Sequence, residues 1–318
     1  MSSLVAPPTA GVPARPVAAK PAHRPYRVRV AAVTPLSPSF VRLTFAGDDL
    51  ADFGADGLDQ RIKVVLPLPG TGFDTFPGGD WWSAWRALPD HQRNPFRTYT
   101  ARAVRPAERE VDVDFVVHAD GGPAAAWLAT VAAGDEAMLV GPDATSGVRG
   151  SGVEWAPGSA RTVMIAGDET AAPAICSIVE QLPADARGCV FVEVPGEADV
   201  LPLAAPAGVS VHWLPRVDAH AGHGERLQRA VRDWTARYVT AWHRGVDVTD
   251  VDVDHDLLWD VPQGEPGRGA ALEGDLYAWL AGEAAAIKSL RRFLVSEVGV
   301  DRRQVAFMGY WRLGRSEM

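Results

Sequence analysis

RTYTARAVRP (Arg97–Pro106) and, after a short strand-like run, DFVVHADGGPAAAWLA (Asp114–Ala129) decide how the rest of this sequence is read. In a strand Arg97 and Tyr99 point to one side and Thr100 to the other, because successive side chains alternate across the pleat. A fixed cation, a flat aromatic face and a hydroxyl therefore fall within four residues. The second stretch reads as strand, turn and helix. Asp112 to His118 alternates and is rich in β-formers, Gly121-Gly122-Pro123 breaks it, and Pro123 to Ala129 is helix-forming with Pro at the first position. A helix opened by Gly-Gly-Pro turns free N–H groups toward any anion lying there.

Together these features suit a flavin dinucleotide. Its pyrophosphate calls for a permanent bidentate cation, which Arg supplies better than Lys. Its ring system accepts one stacked aromatic side chain, while hydroxyl and backbone groups meet its nitrogens. Arg-x-Tyr-Thr alone occurs in many strands by chance; the Gly-Gly-Pro helix start downstream gives it weight.

Around this centre the chain has the size and composition of two domains. It holds 318 residues, 47% of them apolar, enough for two cores. A net charge of −9 argues against broad contact with nucleic acid, whose partners are basic, so an anionic ligand needs a local basic pocket. Cys176 and Cys189 are the only cysteines, and their spacing suits neither zinc nor iron–sulfur ligation. They read as core residues of a reduced compartment. Residues 1–23 are Pro/Ala-rich and read as a disordered tail without the apolar core of a secretory signal. No run approaches the roughly twenty apolar residues of a membrane span, and the expected location is the cytoplasm.

From Tyr26 to Gly141 six short β-runs, broken by turn residues, predict a small antiparallel barrel, with a sandwich as the other option. Between the third and fourth runs, Trp81, Trp82 and Trp85 lie in a long segment. It reads either as a loop with a short helix plugging the barrel mouth or as a ligand lid. Gly141 to Ser146 closes the barrel, with the Thr145 and Ser146 hydroxyls available to a phosphate. Residues 147–160 are Gly-rich and read as a linker.

After the linker, strands alternate with helices, which predicts a parallel sheet covered on both faces. Ligands of such sheets bind at the carboxyl ends of the strands. The first strand runs into Gly167-Asp168-Glu169-Thr170 and lacks G-x-G-x-x-G, leaving Thr170 as a possible helix cap. Arg216, just after the third strand, reads either as a partner for the 2′-phosphate of NADPH or as a solvated loop residue. Residues 240–269 form an acidic interruption. Asp247, Asp250, Asp252, Asp254 and Asp256 lack the central Gly and twelfth-position Glu of a calcium loop, so a solvated insertion is expected and no metal.

Four ordered stretches, RTYT, HADGGPAAAW, AGDETAAPAI and YAWLAGEAAAIKSLRRFL, resemble the siderophore-interacting protein family, which is similar to the ferredoxin-reductase superfamily of flavoproteins. The resemblance spans about Arg24 to Gly314. It implies an FAD-binding β-barrel domain at residues 24–146 and an NAD(P)H-binding α/β domain at 161–318. Arg97, Tyr99, Thr100 and His118 would hold FAD, with Gly122, Pro123 and Ala124 near its diphosphate. Asp168, Glu169, Thr170, Gly282 and Glu283 would border the nicotinamide nucleotide. Lys63 would belong to a basic patch that meets an anionic ferric siderophore, while Trp311 and Arg312, at the end of the last strand, read either as covering a flavin face or as part of the siderophore-binding mouth.

Two positions depart from or qualify that pattern. Relatives tend to carry a basic residue where this chain has Asp143. Ala281 stands where related flavin reductases have a cysteine, so no thiol takes part in hydride transfer. The implied activity is reduction of ferric siderophore by NADPH or NADH through FAD, in a monomer. The competing readings are a flavin reductase of quinone or free flavin, and a non-catalytic siderophore-binding module.

Overall fold

The computed structural model describes residues 20–117, 122–216, 222–239, 259–261 and 275–314. Seven strands form the first sheet: β1 (His23–Pro35), β2 (Phe40–Ala46), β3 (Arg61–Val65), β4 (Phe96–Thr100), β5 (Ala103–Arg105), β6 (Glu110–Val116) and β7 (Glu136–Pro142). Their order is β4-β3-β7-β1-β2-β6-β5, and every pairing is antiparallel.

The run FRTYTARAVR is two strands and not one. Ala101 donates its N–H to Gln60 O on the β3 side, and the next residue, Arg102, donates to Asp112 O on β6. The chain thus changes partner within two residues. Because β4 and β5 stand at opposite ends of the strand order yet are consecutive, the sheet curls round into a half-barrel.

Alternation fills its inside with Tyr26, Val28, Val30, Leu43, Phe45, Val111, Val113 and Phe115. Fully burying such a side chain contributes about 1.5–3 kcal/mol. Met138, Val140 and Val65 point the other way and meet Phe73, Phe76 and Trp81. The tryptophan segment, with helix α1 (Trp81–Ala87), therefore covers the outer face of β3 and β7 and does not plug the barrel mouth. Helix α2 (Pro123–Leu128) packs Ala124, Trp127 and Leu128 against the interior.

The second sheet holds β8 (Thr162–Gly167), β9 (Arg187–Val194), β10 (Gly208–Pro215), β11 (Trp259–Asp260), β12 (Leu276–Glu283) and β13 (Val305–Trp311), in the order β10-β9-β8-β12-β13-β11. Five strands run parallel. The two-residue β11 lies antiparallel on the β13 edge, inside the stretch expected to be a solvated insertion. The rest of that insertion falls outside the described residues, as do the first nineteen residues of the tail.

Helices α3 (Ala172–Glu180), α4 (Glu225–Val239) and α5 (Ala284–Arg291) cover the two faces, which explains why every residue of β12 is buried. After Arg291 the chain leaves the α-helix and continues as π-turns over Arg292–Glu297. Among the described residues no helix is long and apolar enough to cross a membrane.

The two sheets meet through apolar and polar contacts. Phe40, with Leu36 and Val116, joins the cluster formed by β8, β9 and α3. The Asp199 carboxylate accepts from Ser37 Oγ at 2.7 Å, Ser39 N at 2.8 Å and Ser39 Oγ at 3.0 Å. Arg102 pairs with Glu180 at 2.6 Å. Asp59, fully buried, accepts from Trp155 N and Trp279 Nε1, both at 3.0 Å.

Candidate functional site

Three aromatic rings connect the stretch Arg97–Pro106 with the stretch Asp114–Ala129. Tyr99 on β4 lies with its ring centroid 4.3 Å from that of Phe115 on β6, and Phe115 meets Trp127 of α2 edge-on at 6.0 Å. Tyr99 is half-buried, while Thr100 on the opposite side of the strand is buried and pairs in register with Arg61. Arg97 donates to Phe96 O at 2.8 Å.

At the start of α2 the backbone is accessible, because a Cβ built on Gly122 would meet no atom within 4 Å. Gly122, Pro123, Ala125 and Ala126 line a cavity of about 680 Å³ whose other wall includes Phe40 and Val41. Ala124 turns inward to the barrel core. His118 lies outside the described residues.

The Thr145 and Ser146 hydroxyls bond within their own turn. Thr145 Oγ1 donates to Asp143 Oδ1 at 2.6 Å, and Ser146 Oγ donates to Asp143 O at 2.7 Å. Asp143, the residue that departs from the pattern of the resemblance, organises this turn. Burial opposes its charge, but the Thr145 bonds and the Arg24 and Lys20 cations outweigh burial and hold its carboxyl below the usual range.

The second half of the site lies where the strand order reverses, between β8 and β12. There Asp168 is a hub. Its Oδ2 accepts from Glu283 N at 2.7 Å and Trp311 Nε1 at 2.8 Å, and its Oδ1 accepts from Thr170 N at 3.0 Å and from the Thr170 hydroxyl. One carboxylate thus ties the β8 turn to the ends of β12 and β13. Burial, then the neighbouring Glu169 charge, raises its pKa.

Gly282 makes this closeness possible. It has φ of +148°, and a Cβ there would stand 2.6 Å from Asp168 Oδ2. Glu283 caps α5 by accepting from Ala285 N at 2.7 Å and Ala286 N at 3.0 Å. Thr170 is not the cap expected of it. The N-cap of α3 is Ala171, and the Thr170 hydroxyl serves Asp168.

Arg216 is no solvated loop residue. It forms a two-bond fork with Glu169 at 2.7 and 2.8 Å and reaches Glu193 at 3.1 Å.

The remaining expected residues flank these two halves. Lys63 Nζ lies 4.6 Å from the centre of the Phe96 ring and 3.4 Å from Thr98 Oγ1. Phe96 sits beside Trp85 at 4.8 Å and Trp82 at 6.2 Å. Trp82 is 43% exposed. Arg312 is half-buried beside Trp311.

Sequence reasoning missed Asp59, Arg61 and Glu193. The guanidinium of Arg61 lies 4.3 Å above Trp259, and Trp259 stacks on Tyr310 at 5.9 Å. The Tyr310 hydroxyl and Arg61 Nε are both buried without a hydrogen-bond partner among the described residues. The signal for Asp59 and Arg61 was the polar run DQR entering an apolar strand.

Residues 29–146 match the profile of the siderophore-interacting FAD-binding domain, and residues 160–314 match that of the siderophore-interacting protein family. The chain belongs to the siderophore-interacting protein family. An uncharacterized protein of Mycobacterium tuberculosis is 31% identical over 95% of this chain and 94% of its own. The ferric vibriobactin reductase ViuB of Vibrio cholerae is 28% identical over 89% of this chain and 87% of its own.

Among solved structures, a siderophore utilization protein from T. fusca is 28% identical with a TM-score of 0.67, covering 94% of this chain and 97% of that one. A ferredoxin-NADP+ reductase from Plasmodium falciparum, 10% identical with a TM-score of 0.54 over 88% of this chain and 94% of that one, shares the fold alone.

The residues present fit the FAD that the family domain implies. The open backbone at Gly122 admits a phosphate, and the unpartnered Tyr310 hydroxyl and Arg61 Nε are buried polar atoms of the kind a bound group satisfies.

Proposed function

We propose that this chain is an FAD-dependent reductase that takes electrons from NAD(P)H and passes them to ferric iron held in a siderophore, releasing Fe(II). The observation that carries the reading is the ring chain Tyr99–Phe115–Trp127. It brings the Arg-x-Tyr-Thr strand and the Gly-Gly-Pro helix into one place on the half-barrel. FAD supplies the needed chemistry when bound, since it takes two electrons together from a nicotinamide and returns them one at a time.

The chain's own residues bind and orient. Arg97 offers a permanent cation to the diphosphate, with the Gly122 and Pro123 backbone beside it. Tyr99 offers a ring face and Thr100 a hydroxyl at the barrel end nearest Arg61. Asp168 positions the turn Gly167–Thr170 against Gly282 and Glu283, so that the mouth of the β8/β12 crevice is rigid when a nucleotide enters. No side chain is asked to move a proton. Cys176 and Cys189 stay out of the reaction, because burial pushes their thiols up to about 12 and about 11.

Lys63, Trp82, Trp85 and Phe96 form an aromatic and cationic face that supports the substrate side. An anionic iron chelate with flat rings finds there both charge and stacking area. Two ferric ions are reduced for each NAD(P)H oxidised. We place this activity in the cytoplasm and in a monomer.

The test is the visible spectrum of the purified protein, recorded anaerobically before and after each nucleotide. A ferric catecholate and a colourless Fe(II) trap are then added. A flavin spectrum that bleaches and returns as Fe(II) appears is the expected result. Protein that takes up no flavin even from added FAD would end the reading built on Arg97, Tyr99 and Thr100.

A further inference from the structure

At the carboxyl end of β10, Arg216 is enclosed by acids. Its Nη2 donates to Glu169 Oε1 at 2.7 Å and its Nη1 to Glu169 Oε2 at 2.8 Å, and Nη1 also reaches Glu193 Oε1 at 3.1 Å. The side chains of Glu169 and Glu193 are 1% and 0% exposed, and that of Arg216 is 11% exposed. Glu193 is committed to the start of α4, accepting from Gly224 N at 2.8 Å and Leu227 N at 2.9 Å. Two buried carboxylates thus face one guanidinium, and Asp168 stands next in the chain.

The strand order gives this cluster a place on a bound dinucleotide. A reactive ring at the β8/β12 crevice sends the adenosine half across β9 toward β10, about 10 Å away at the usual strand spacing. That is where a 2′-phosphate calls for an arginine fork. Here both bonds of the fork are already made to Glu169. A 2′-phosphate entering would strand a buried carboxylate and meet its negative charge, whereas a 2′-hydroxyl is neutral and does neither.

We propose that Glu169 is a specificity-determining residue: by closing the Arg216 fork it makes the nucleotide pocket reject a 2′-phosphate, so that NADH is the donor and NADPH is not. The inference rests on the reading that this crevice takes a pyridine nucleotide.

Titration calorimetry of the full-length protein with NAD+ and with NADP+ tests it without reference to turnover. NAD+ is expected to bind at least about tenfold more tightly. Glu169→Gln, which removes the charge and keeps the shape, is expected to raise the ratio of NADP+ to NAD+ affinity about tenfold. Adding Arg216→Ala to that variant should abolish the gain. The ratio of anaerobic bleaching rates with NADH and NADPH should follow the same pattern.

Wild-type protein that binds NADP+ as tightly as NAD+ overturns the proposal, and this comparison stands even if the variants fail to fold. Binding of neither nucleotide overturns it together with the nucleotide-donor reading. Reduction of a ferric chelate by the photoreduced protein would in that case leave the reductase reading in place.

Discussion

Asp59 is buried without a cation among its hydrogen-bond partners; backbone N–H groups and the Trp279 indole do the work instead. Burial outweighs those bonds and pushes its pKa up to about 6 from an ordinary 3.8. The folded protein therefore holds this proton more tightly than the unfolded chain does. The stability linked to Asp59 is greatest below about pH 4, falls as pH rises toward 6, and is lower by about 3 kcal/mol above that. Asp59→Asn should remove that fall. In urea melts at pH 4.5 and pH 7, the variant should gain about 2 kcal/mol relative to wild type between the two conditions. Parallel pH profiles would show that Asp59 keeps an ordinary affinity for its proton. In the sequence this residue stands out only as the head of the polar run Asp59-Gln60-Arg61, and an aspartate before a strand looks like any turn former; the pairing with Trp155 and Trp279 gives it its environment.

At the scale of elements, β12 and α5 are joined by Glu283, which ends one and caps the other. Glu283→Ala should cost about 1–2 kcal/mol, seen as a lower Tm, and Glu283→Asp should recover part of it. A variant that loses nucleotide binding with its Tm unchanged would instead make Glu283 a ligand. The existence of most elements was legible because their periods are plain: alternation in β1, β2 and β6, apolar runs in β8, β9 and β12. What escaped was partner choice. FRTYTARAVR is one β-rich run by composition, yet its middle pair Ala101-Arg102 bonds to two different strands, and no local preference records that. The site was legible in its types and not in its bonding. Asp168 and Thr170 read as groups facing a ligand and Arg216 as either a phosphate partner or a solvated residue, but Asp168 and Thr170 bond to each other and to Glu283 and Trp311, and Arg216 bonds to Glu169 and Glu193.

At the scale of the molecule, the two sheets are joined by polar contacts over an apolar seam. Asp199 takes three bonds from Ser37 and Ser39, and Arg102 pairs with Glu180. Asp199→Ala should leave both cores intact and weaken their union by about 2–3 kcal/mol, so that one calorimetric transition separates into two. A single transition lowered as a unit would mean that the apolar seam alone couples them. The half-barrel also sets a timetable for synthesis. Its first strand, β1, lies in the middle of the sheet, and its Tyr26 hydroxyl bonds to Pro142 O, 116 residues later. The central strand of the second sheet waits similarly, since Thr162 bonds to Asp275 across 113 residues. On a ribosome adding about 5–20 residues per second, each half must keep a central apolar strand half-paired for many seconds. The first half can close before the second has emerged, and the nascent chain needs protection in two successive intervals.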